Sequence, residues 1–377
     1  MNITVMEMKR PEHGGNIYRV SQETGVPADE LMDFSASINP LGVPDRVKEV
    51  IKAELDNLVH YPDPDASELR QVIARHHNID LESIICGNGS TELIYLVPAA
   101  IKPEKVLIPS PTFSEYAKAC RLSCNNELLP ADLKNKSTTR GLRNYELKEK
   151  NSFRIIAEEF IEAMQGCDMA FLCNPNNPTG DLLSKEEVLG IAEAARKLKC
   201  ILVVDEAFID FCPADSVIGH VHANPYLIVL RSMTKFYAIT GLRAGYGVFH
   251  PAIIKRIMEF KEPWTMNTLA QKSAIAAIDD RDYAERTMDV IRNEKEFIEN
   301  GLRDIGIEFL SSAVNFYLLR TGYAGEICQR MKDKGIILRE CSNFRGLGDS
   351  YIRVAVRSRK ENEALLGGLS EEERWKQ

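Results

Sequence analysis

Lys235 lies where chemistry is expected, at the end of an apolar segment that is typical of a buried strand. The segment "NPYLIVL" (224–230) leads into "RSMTKFYAITGLRAGY" (231–246), which places Ser232 three residues before Lys235 and Arg243 eight residues after it. A hydroxyl and a guanidinium can bind a phosphate, and a lysine removed from water has a lowered pKa and becomes a nucleophilic amine. Taken alone, the segment would also fit a surface lysine in a salt bridge.

Two further polar segments each follow an apparent strand. "GNGSTE" (87–92) is a glycine-rich turn before a helix, where free backbone amides and the hydroxyls of Ser90 and Thr91 could bind an anion such as phosphate. "NPNNPTG" (174–180) is a rigid loop that could direct Asn177 at a ligand oxygen. On their own, the first segment also fits an ordinary helix N-cap and the second a plain turn.

A fourth segment, "VVDEAFIDF" (203–211), ends an apolar strand with Asp205. A carboxylate there must reach water or pair with a partner, because burying it unpaired is costly. A protonated ring nitrogen would be a suitable partner, and an aspartate that caps the next turn is the alternative. Ligands of open α/β sheets bind beyond the carboxyl ends of the strands, so the four segments should converge. Together they describe a ligand with a phosphate, a ring nitrogen, a ring oxygen and a carbonyl: pyridoxal 5'-phosphate.

The elements that must position these residues alternate along the chain. Predicted strands lie at 83–86, 105–109, 168–173, 200–205, 226–230 and 244–249. Segments between them, such as 90–101 and 184–198, carry apolar residues at helical spacing. The strands are apolar enough to be buried on both faces, which predicts parallel strands at the centre of an α/β sheet. After a helical stretch from about Leu269 to Arg303, three strands and two helices predict a smaller C-terminal α+β domain.

The composition is that of a globular protein and excludes several functions. The chain has 377 residues, of which 44% are hydrophobic and 27% charged. Its net charge of −8 provides no basic surface for nucleic acid. No apolar run approaches the roughly 18 residues of a membrane span, and the N-terminal sequence lacks the features of a signal peptide, so we expect a cytoplasmic protein without a membrane partner.

The nine cysteines are odd in number and scattered, so we expect reduced and mostly buried thiols. Cys120 and Cys124 lack the second pair of ligands that a zinc site needs, and no metal site is expected.

The order of the motifs resembles that of the fold-type I enzymes that depend on pyridoxal phosphate. "GNGSTE", "NPNNPTG", "DEAF", "SMTK", "GLRAGY" and "YIRVAV" follow one another as in the histidinol-phosphate aminotransferase branch of the class I/II aminotransferases. "HGGNI" (13–17), "DFSASINPLG" (33–42) and "YPDPD" (61–65) are most similar to the L-threonine-O-3-phosphate decarboxylases of cobalamin biosynthesis. The resemblance covers nearly the whole chain.

This resemblance implies an α/β fold with a mostly parallel seven-stranded sheet in a large domain and a small C-terminal α+β domain. The expected divisions are an N-terminal arm over the active site (1–40), a large cofactor-binding domain (41–275) and a small domain joined by a long helix (276–377).

The resemblance also implies how the cofactor would be held. Lys235 would attach to its carbonyl carbon and Asp205 would pair with its ring nitrogen, and these two are the expected catalytic residues. Asn177 would donate a hydrogen bond to the ring hydroxyl oxygen, and Phe113 would stack on the ring face. The residues expected at the cofactor phosphate are Gly89, Ser90, Thr91, Ser232, Arg243 and the partner subunit's Tyr61. A homodimer is therefore expected by analogy.

The expected substrate is a small phosphorylated amino acid. Its expected ligands are His13, Gly14, Gly15, Asn39, Asn177, Arg339 and Arg353. In the family, the counterpart of Arg353 binds the α-carboxylate and that of Arg339 contacts the distal phosphate. His13 and the amides of Gly14 and Gly15 could close over that phosphate, because successive glycine amides bind anions; the alternative is a mobile N-terminal arm.

Phe208 is one departure from the aminotransferases, many of which carry a tyrosine three residues after the aspartate. The missing hydroxyl should make the nitrogen linking Lys235 to the cofactor more basic, which fits the decarboxylases. The expected reaction is decarboxylation of L-threonine O-3-phosphate to (R)-1-amino-2-propanol O-2-phosphate in adenosylcobalamin biosynthesis. The alternatives are decarboxylation of L-serine O-phosphate, histidinol-phosphate (or related) aminotransferase activity, and a non-catalytic module that binds the cofactor.

Overall fold

A seven-stranded sheet forms the centre of the computed structural model, which describes residues 13–124 and 141–371. The helices are α1 (Ile17–Thr24), α2 (Asp45–Ala53), α3 (Ser67–His77), α4 (Ser90–Ile101), α5 (Glu115–Cys124), α6 (Ala157–Ala163), α7 (Lys185–Leu198), α8 (Pro251–Met258), α9 (Thr268–Ile278), α10 (Arg281–Asp304), α11 (Ala324–Asp333) and α12 (Arg359–Ser370). The strands are β1 (Met32–Asp33), β2 (Ile84–Asn88), β3 (Lys105–Ser110), β4 (Gly141–Glu146), β5 (Met169–Cys173), β6 (Ile201–Asp205), β7 (Leu227–Ser232), β8 (Ala244–Phe249), β9 (Phe316–Arg320), β10 (Ile336–Ile337), β11 (Arg339–Glu340) and β12 (Tyr351–Ala355).

The strand order of the large sheet is β2-β8-β7-β6-β5-β3-β4. Strands β7, β6, β5, β3 and β4 pair in parallel, which confirms the prediction of a mostly parallel sheet. The expectation that 244–249 is a parallel strand is wrong, because β8 runs antiparallel to both β2 and β7. A parallel return needs a crossover of a dozen or more residues, whereas only the short connection 233–243 joins β7 to β8.

Helices cover both faces of this sheet. The consecutive residues Phe171 and Leu172 of β5 belong to two different apolar clusters, because successive side chains of a strand point to opposite faces. Helices α4, α5 and α8 contribute to the cluster of Phe171, and helices α3, α7 and α9 contribute to the cluster of Leu172. The strand ends between these layers remain free to present polar side chains.

The C-terminal region contains a three-stranded antiparallel sheet of order β11-β12-β9, with helices α11 and α12. The predicted helical stretch 269–303 is two helices rather than one, because the side chain of Asp280 accepts a hydrogen bond from the amide of Tyr283 and caps a new start at α10. Strand β1 pairs in parallel with β10, Met32 opposite Ile336, and so ties the N-terminal segment to this region. Of the predicted N-terminal arm, residues 1–12 lie outside the described residues.

Within the described ranges, no helix combines the length and apolar character needed to cross a membrane. Eight cysteine side chains are described there; all are free thiols, and only Cys212 and Cys328 are more than slightly exposed. Those ranges also hold no group of three or more acidic, histidine or cysteine side chains arranged to bind a metal ion.

Candidate active site

A cavity of about 200 Å³ opens at the carboxyl ends of β5, β6 and β7, beside the start of α4. Cys173, Asp205 and Ser232 each end one of these strands and line the cavity. Twelve of the residues predicted from the sequence line it: His13, Gly14, Ser90, Thr91, Phe113, Asn177, Asp205, Ser232, Lys235, Arg243, Arg339 and Arg353. The four polar segments therefore converge on one place in the fold.

Asp205 is buried at the end of β6 and is only 2% exposed. Its Oδ2 accepts a hydrogen bond from the Tyr116 hydroxyl at 2.6 Å, and its Oδ1 accepts one from the amide of Ala207 at 3.1 Å. Burial raises the pKa of Asp205 to about 6, although both hydrogen bonds favour the ionised form. The described part of the chain brings no cation into hydrogen-bonding contact with this carboxylate, so a protonated ring nitrogen would satisfy it.

Lys235 follows β7 and lines the cavity, where it forms no ion pair with the described residues. Burial lowers its pKa to about 8, and the positive charges of Arg353 and Arg243 add to this effect. A surface lysine in a salt bridge is therefore not what the structure shows. At pH 7 about a tenth of Lys235 would then be a free amine, far more than for an ordinary lysine, and the free amine is the form that acts as a nucleophile.

The polar groups around the start of α4 form a concave site for an anion. Helix α4 begins at Ser90, and Gly89 occupies the N-cap position at φ 73° with no side-chain cap. A Cβ on Gly89 would lie 2.4 Å from Nη2 of Arg243, so only glycine lets the guanidinium approach the turn. On the opposite side, the Ser232 hydroxyl lies 2.8 Å from that of Thr234. Helix amides, hydroxyls and a guanidinium are suitable ligands for a phosphate.

Arg353 lies beside this site on β12 and is 7% exposed. Its Nη1 donates to Oδ1 of Asn177, and its Nη2 donates to the carbonyl of Ser35 at 2.8 Å. Because the Asn177 oxygen is used by Arg353, the amide nitrogen of Asn177 is left to donate to a ligand. The Nε of Arg353 is buried without a partner among the described residues, and burial lowers the pKa of its guanidinium to about 10. An anionic ligand would give Nε a hydrogen-bond partner and would stabilise the positive charge of the buried guanidinium.

Arg339 lines the cavity on β11, beside His13 and Gly14. Its Nη2 donates to Oδ1 of Asn343 at 2.6 Å, and its guanidinium packs 5.1 Å from the ring centre of Phe344. Burial lowers the pKa of Arg339. The guanidinium is therefore held in one orientation before any ligand arrives.

Two predicted substrate ligands do not line this cavity. Gly15 lines an adjoining cavity and donates its amide to Oγ of Ser35 at 2.8 Å. Asn39 is 1% exposed and fully engaged: its Nδ2 donates to the carbonyl of Phe236, and its backbone amide donates to the carbonyl of Lys235. Asn39 therefore holds the backbone of Lys235 and Phe236 in place through two hydrogen bonds.

Tyr61 is remote from the cavity of its own chain. Its side chain is 82% exposed and packs 5.1 Å from the ring centre of Trp264, which is itself 49% exposed. Leu55, Leu58 and Val59 are also exposed nearby in the sequence. Several exposed apolar side chains are therefore concentrated in the segment that carries Tyr61.

Sequence reasoning missed three contributors to the site. Tyr116 binds Asp205, Thr234 lies beside Ser232, and Ser37 lines the cavity with a buried hydroxyl that has no partner among the described residues. Tyr116 lies three residues after the predicted Phe113, in the segment "PTFSEY" (111–116), and Thr234 lies in "SMTK" directly before Lys235. No spacing in the sequence indicates Ser37.

These residues fit pyridoxal 5'-phosphate on chemical grounds. A buried carboxylate without a cation faces the same cavity as an amine with a lowered pKa, and an open anion site lies at the adjoining helix start. Phe113 and Phe208 add apolar ring surface to the lining. The ring of Phe208 packs edge-on against Phe316 at 5.1 Å and presents no hydroxyl to the cavity.

Comparison with known proteins identifies relatives along nearly the whole chain. The family model described as aminotransferase class I and II matches residues 29–369. A threonine-phosphate decarboxylase of Salmonella typhimurium is 36% identical over 370 residues, which are 97% of this chain and 97% of that protein.

Solved structures with the same fold carry two different activities in their names. The histidinol-phosphate aminotransferase of Clostridium acetobutylicum is 31% identical with a TM-score of 0.81, and the match covers 90% of this chain and 98% of that one. The L-threonine-O-3-phosphate decarboxylase of Porphyromonas gingivalis is 28% identical with a TM-score of 0.77, covering 90% and 99%.

Proposed function

Since the chain belongs to the class I and II aminotransferase family, we propose that it is a pyridoxal 5'-phosphate-dependent decarboxylase of L-threonine O-3-phosphate. The product would be (R)-1-amino-2-propanol O-2-phosphate, a precursor in cobalamin biosynthesis. The observation that carries this proposal is the convergence of Lys235, Asp205 and two substrate-facing arginines, Arg339 and Arg353, on one cavity. Full-length similarity to a threonine-phosphate decarboxylase supports the choice of substrate.

The residues of this chain would divide the work as follows. When bound, the cofactor's protonated ring accepts the electron pair of whichever bond at the substrate Cα lies perpendicular to the ring plane. Asp205 would hold the proton on the ring nitrogen, and the amide nitrogen of Asn177 would donate to the ring oxygen. Lys235, with a pKa of about 8, can carry a proton on Nζ and deliver it to the Cα that carbon dioxide has left.

Substrate orientation decides which bond breaks, and two arginines would set it. Arg353 would bind the α-carboxylate through the donors that Asn177 and Ser35 leave free. Arg339, held by Asn343, would bind the distal phosphate at the opposite end of the substrate. Two fixed anionic ends leave little rotational freedom about Cα, and such positioning contributes a large part of enzymatic acceleration.

Phe208 distinguishes this site from the many aminotransferases that carry a tyrosine at this position, and the difference fits a decarboxylase. It lies beside Asp205 in the cavity lining, where a tyrosine hydroxyl would give the ring oxygen a second donor. Without that hydroxyl, the nitrogen linking Lys235 to the cofactor is expected to be more basic. It would then remain protonated, and reactive towards an incoming amine, at higher pH.

We further propose that the active unit is a homodimer in which Tyr61 reaches the cofactor phosphate of the partner subunit. The exposure of Tyr61 and its contact with Trp264 support this proposal, because a residue with this role must project from its own subunit. The exposed apolar residues near Tyr61 are suited to an interface.

The deciding experiment supplies the purified enzyme with L-threonine O-phosphate in the absence of any oxo acid. We expect release of carbon dioxide, a product of the mass of aminopropanol phosphate, and a cofactor that stays in the pyridoxal form through many turnovers. Conversion of the cofactor to pyridoxamine phosphate without carbon dioxide would contradict the proposal. A parallel reaction with L-serine O-phosphate measures the contribution of the extra methyl group, which is worth about 1–3 kcal/mol in a fitted pocket.

Histidinol-phosphate aminotransferase activity is the second candidate, because a structure of that name is 31% identical to this chain with a TM-score of 0.81. This activity needs an amino acceptor, so turnover of histidinol phosphate with 2-oxoglutarate would identify it. An enzyme that uses that pair and leaves L-threonine O-phosphate unchanged is an aminotransferase.

A further inference from the structure

Glu115 is a buried carboxylate beside the cavity that has no role in the chemistry above. It is the first residue of α5 and is 5% exposed. Its Oε1 lies 2.9 Å from Nε2 of His13, and its Oε2 accepts hydrogen bonds from the Tyr95 hydroxyl and, at 3.3 Å, from Nζ of Lys118. Both oxygens of this buried carboxylate therefore take part in hydrogen bonds, and Oε1 binds His13, which lines the cavity.

The ionisation of Glu115 fixes the orientation of His13. Burial on its own would raise the pKa of Glu115, but hydrogen bonds from Tyr95 and His13 and the charge of Lys118 more than offset it, so the net pKa lies below its ordinary value. An ionised carboxylate can only accept hydrogen bonds, so Nε2 of His13 must be the donor. The ring also lies 5.7 Å from that of Phe113, which limits its rotation.

The segment 13–15 is held from a second side by Ser35. The Gly15 amide donates to Oγ of Ser35 at 2.8 Å, and a Cβ added to Gly14 would lie 2.1 Å from the Ser35 carbonyl oxygen. The same carbonyl accepts from Arg353. His13 and Gly14 therefore line the cavity between Glu115 and Ser35, and Arg339 lines the same cavity.

We propose that Glu115 is a positioning residue that holds His13 and the adjoining Gly14 in the geometry that binds the substrate's phosphate. Glu115 does not touch the substrate and acts through His13. The inference rests on the proposed function for the presence of a phosphate on the substrate. It does not depend on which bond at Cα is broken.

The test uses the holoenzyme, in which the cofactor phosphate already fills the site at α4, and inorganic phosphate as the probe. For Glu115→Gln, calorimetric titration should show the dissociation constant of phosphate raised by about tenfold, the size expected for losing one charge-assisted hydrogen bond. The KM for the phosphorylated substrate should rise similarly, whereas kcat and the cofactor absorbance should change by less than about twofold. Equal losses in all of these quantities would indicate a purely structural role and overturn the inference.

Lys118→Gln is the matched control, because it removes a different partner of the same carboxylate. Lys118 is 45% exposed in its side chain, and its contact lies on the far oxygen, Oε2. We expect its phosphate affinity to equal that of the unmodified enzyme. A loss as large as that of Glu115→Gln would mean that the charge balance around Glu115, and not its hold on His13, controls phosphate binding.

A double-substitution cycle tests whether Glu115 acts through His13. His13→Ala alone should weaken phosphate binding, and adding Glu115→Gln should then change it by less than about twofold; additive losses would overturn the inference. Phosphate titration needs no turnover, so the two proposals fail separately. If Glu115→Gln weakens phosphate binding but the unmodified enzyme does not decarboxylate the substrate, only the proposed reaction is refuted. If the unmodified enzyme decarboxylates the substrate but Glu115→Gln binds phosphate normally, only the role of Glu115 is refuted.

Discussion

At the scale of single residues, the hydrogen bond from Tyr116 to Asp205 links a fully buried hydroxyl to the carboxylate that would hold the cofactor ring. Tyr116 also stacks on Phe171 at 4.9 Å, which fixes the ring independently of its hydroxyl. A donor to a carboxylate stabilises the ionised form. Tyr116 therefore moderates how strongly Asp205 attracts a proton.

Tyr116→Phe should raise the pKa of Asp205 above its value of about 6, by about one unit for the loss of one hydrogen bond to a charged group. In its proposed role, Asp205 binds the cofactor's ring in the ionised form, so the pH midpoint for cofactor binding to the apoprotein should move upward by a similar amount. Fluorescence titrations of the apoprotein with the cofactor at several pH values measure this midpoint. Tyr317→Phe, which removes a hydroxyl that binds Glu299 instead, is the control, and equal midpoints in the two variants would contradict the prediction.

Asp205 should also make the cofactor-free protein less stable as pH rises. Its pKa is raised from 3.8 to about 6, so between these values the folded state binds more protons than the unfolded state, and the free energy of unfolding falls with increasing pH. Relative to Asp205→Asn, the unmodified apoprotein should lose up to about 3 kcal/mol between pH 4 and pH 7. Urea unfolding at several pH values measures this difference. If the free energy of unfolding depends on pH in the same way in both proteins, Asp205 does not destabilise the apoprotein at higher pH.

At the scale of elements, the start of α4 depends on its neighbouring strand. A Cβ on Gly245 of β8 would lie 2.3 Å from the amide nitrogen of Ser90 and 2.6 Å from the carbonyl carbon of Gly89. Both contacts are with backbone, which no rotamer change can relieve. Strand β8 and the anion-binding turn therefore have to fit closely before any ligand is bound.

Gly245→Ala should displace the start of α4 and weaken cofactor binding by about tenfold or more, with a loss of about 1–3 kcal/mol in the free energy of unfolding. Equilibrium dialysis and urea unfolding measure the two effects. Gly190→Ala in α7 is the control, because a Cβ there meets no atom within 4 Å and should stabilise the helix by about 1 kcal/mol. Native cofactor affinity in Gly245→Ala would show that the turn tolerates displacement.

The sequence predicted the buried strands because β5 to β8 are continuous apolar runs between turn residues. It did not predict β4, whose residues "GLRNYE" are mostly polar and include no buried residue, at the edge of the sheet. The break between α9 and α10 depends on one capping aspartate, Asp280, inside an otherwise helical pattern. The direction of β8 was missed because apolar runs do not specify whether a strand returns parallel or antiparallel.

For the site, residues named by motifs were found together, while contacts between distant segments were not predictable. Asp205 ends β6, Lys235 follows β7 and Arg243 directly precedes β8, and the topology of the sheet brings all three to one cavity. The engagement of Asn39 with the backbone near Lys235 depends on packing between segments 197 residues apart, which no local pattern reports.

At the scale of the whole molecule, the proposed dimer makes each active site a product of two chains. Lys235→Ala and Tyr61→Ala should each be nearly inactive alone. When the two variants are co-expressed and pair at random, about half of the dimers should contain one subunit of each variant. Such a mixed dimer has one site with both native residues and one with neither, so activity should return to about a quarter of the native value. Activity measurements on the mixed preparation, with sedimentation to establish the oligomer, test this prediction. No recovery in confirmed mixed dimers would place the action of Tyr61 within its own subunit.

The pairing of β1 with β10 has a consequence for how the enzyme is made. Ser35 and Arg353 meet across 318 residues, and Met32 lies opposite Ile336. A growing chain already contains Lys235 and Asp205 before the residues needed for either of these long-range contacts have been synthesised. Lys235 and Asp205 can therefore take their places on the strands early, but the contact between Ser35 and Arg353 can form only after residue 353 has been synthesised. If Arg353 has its proposed role, binding of a carboxylate substrate is confined to chains synthesised at least that far.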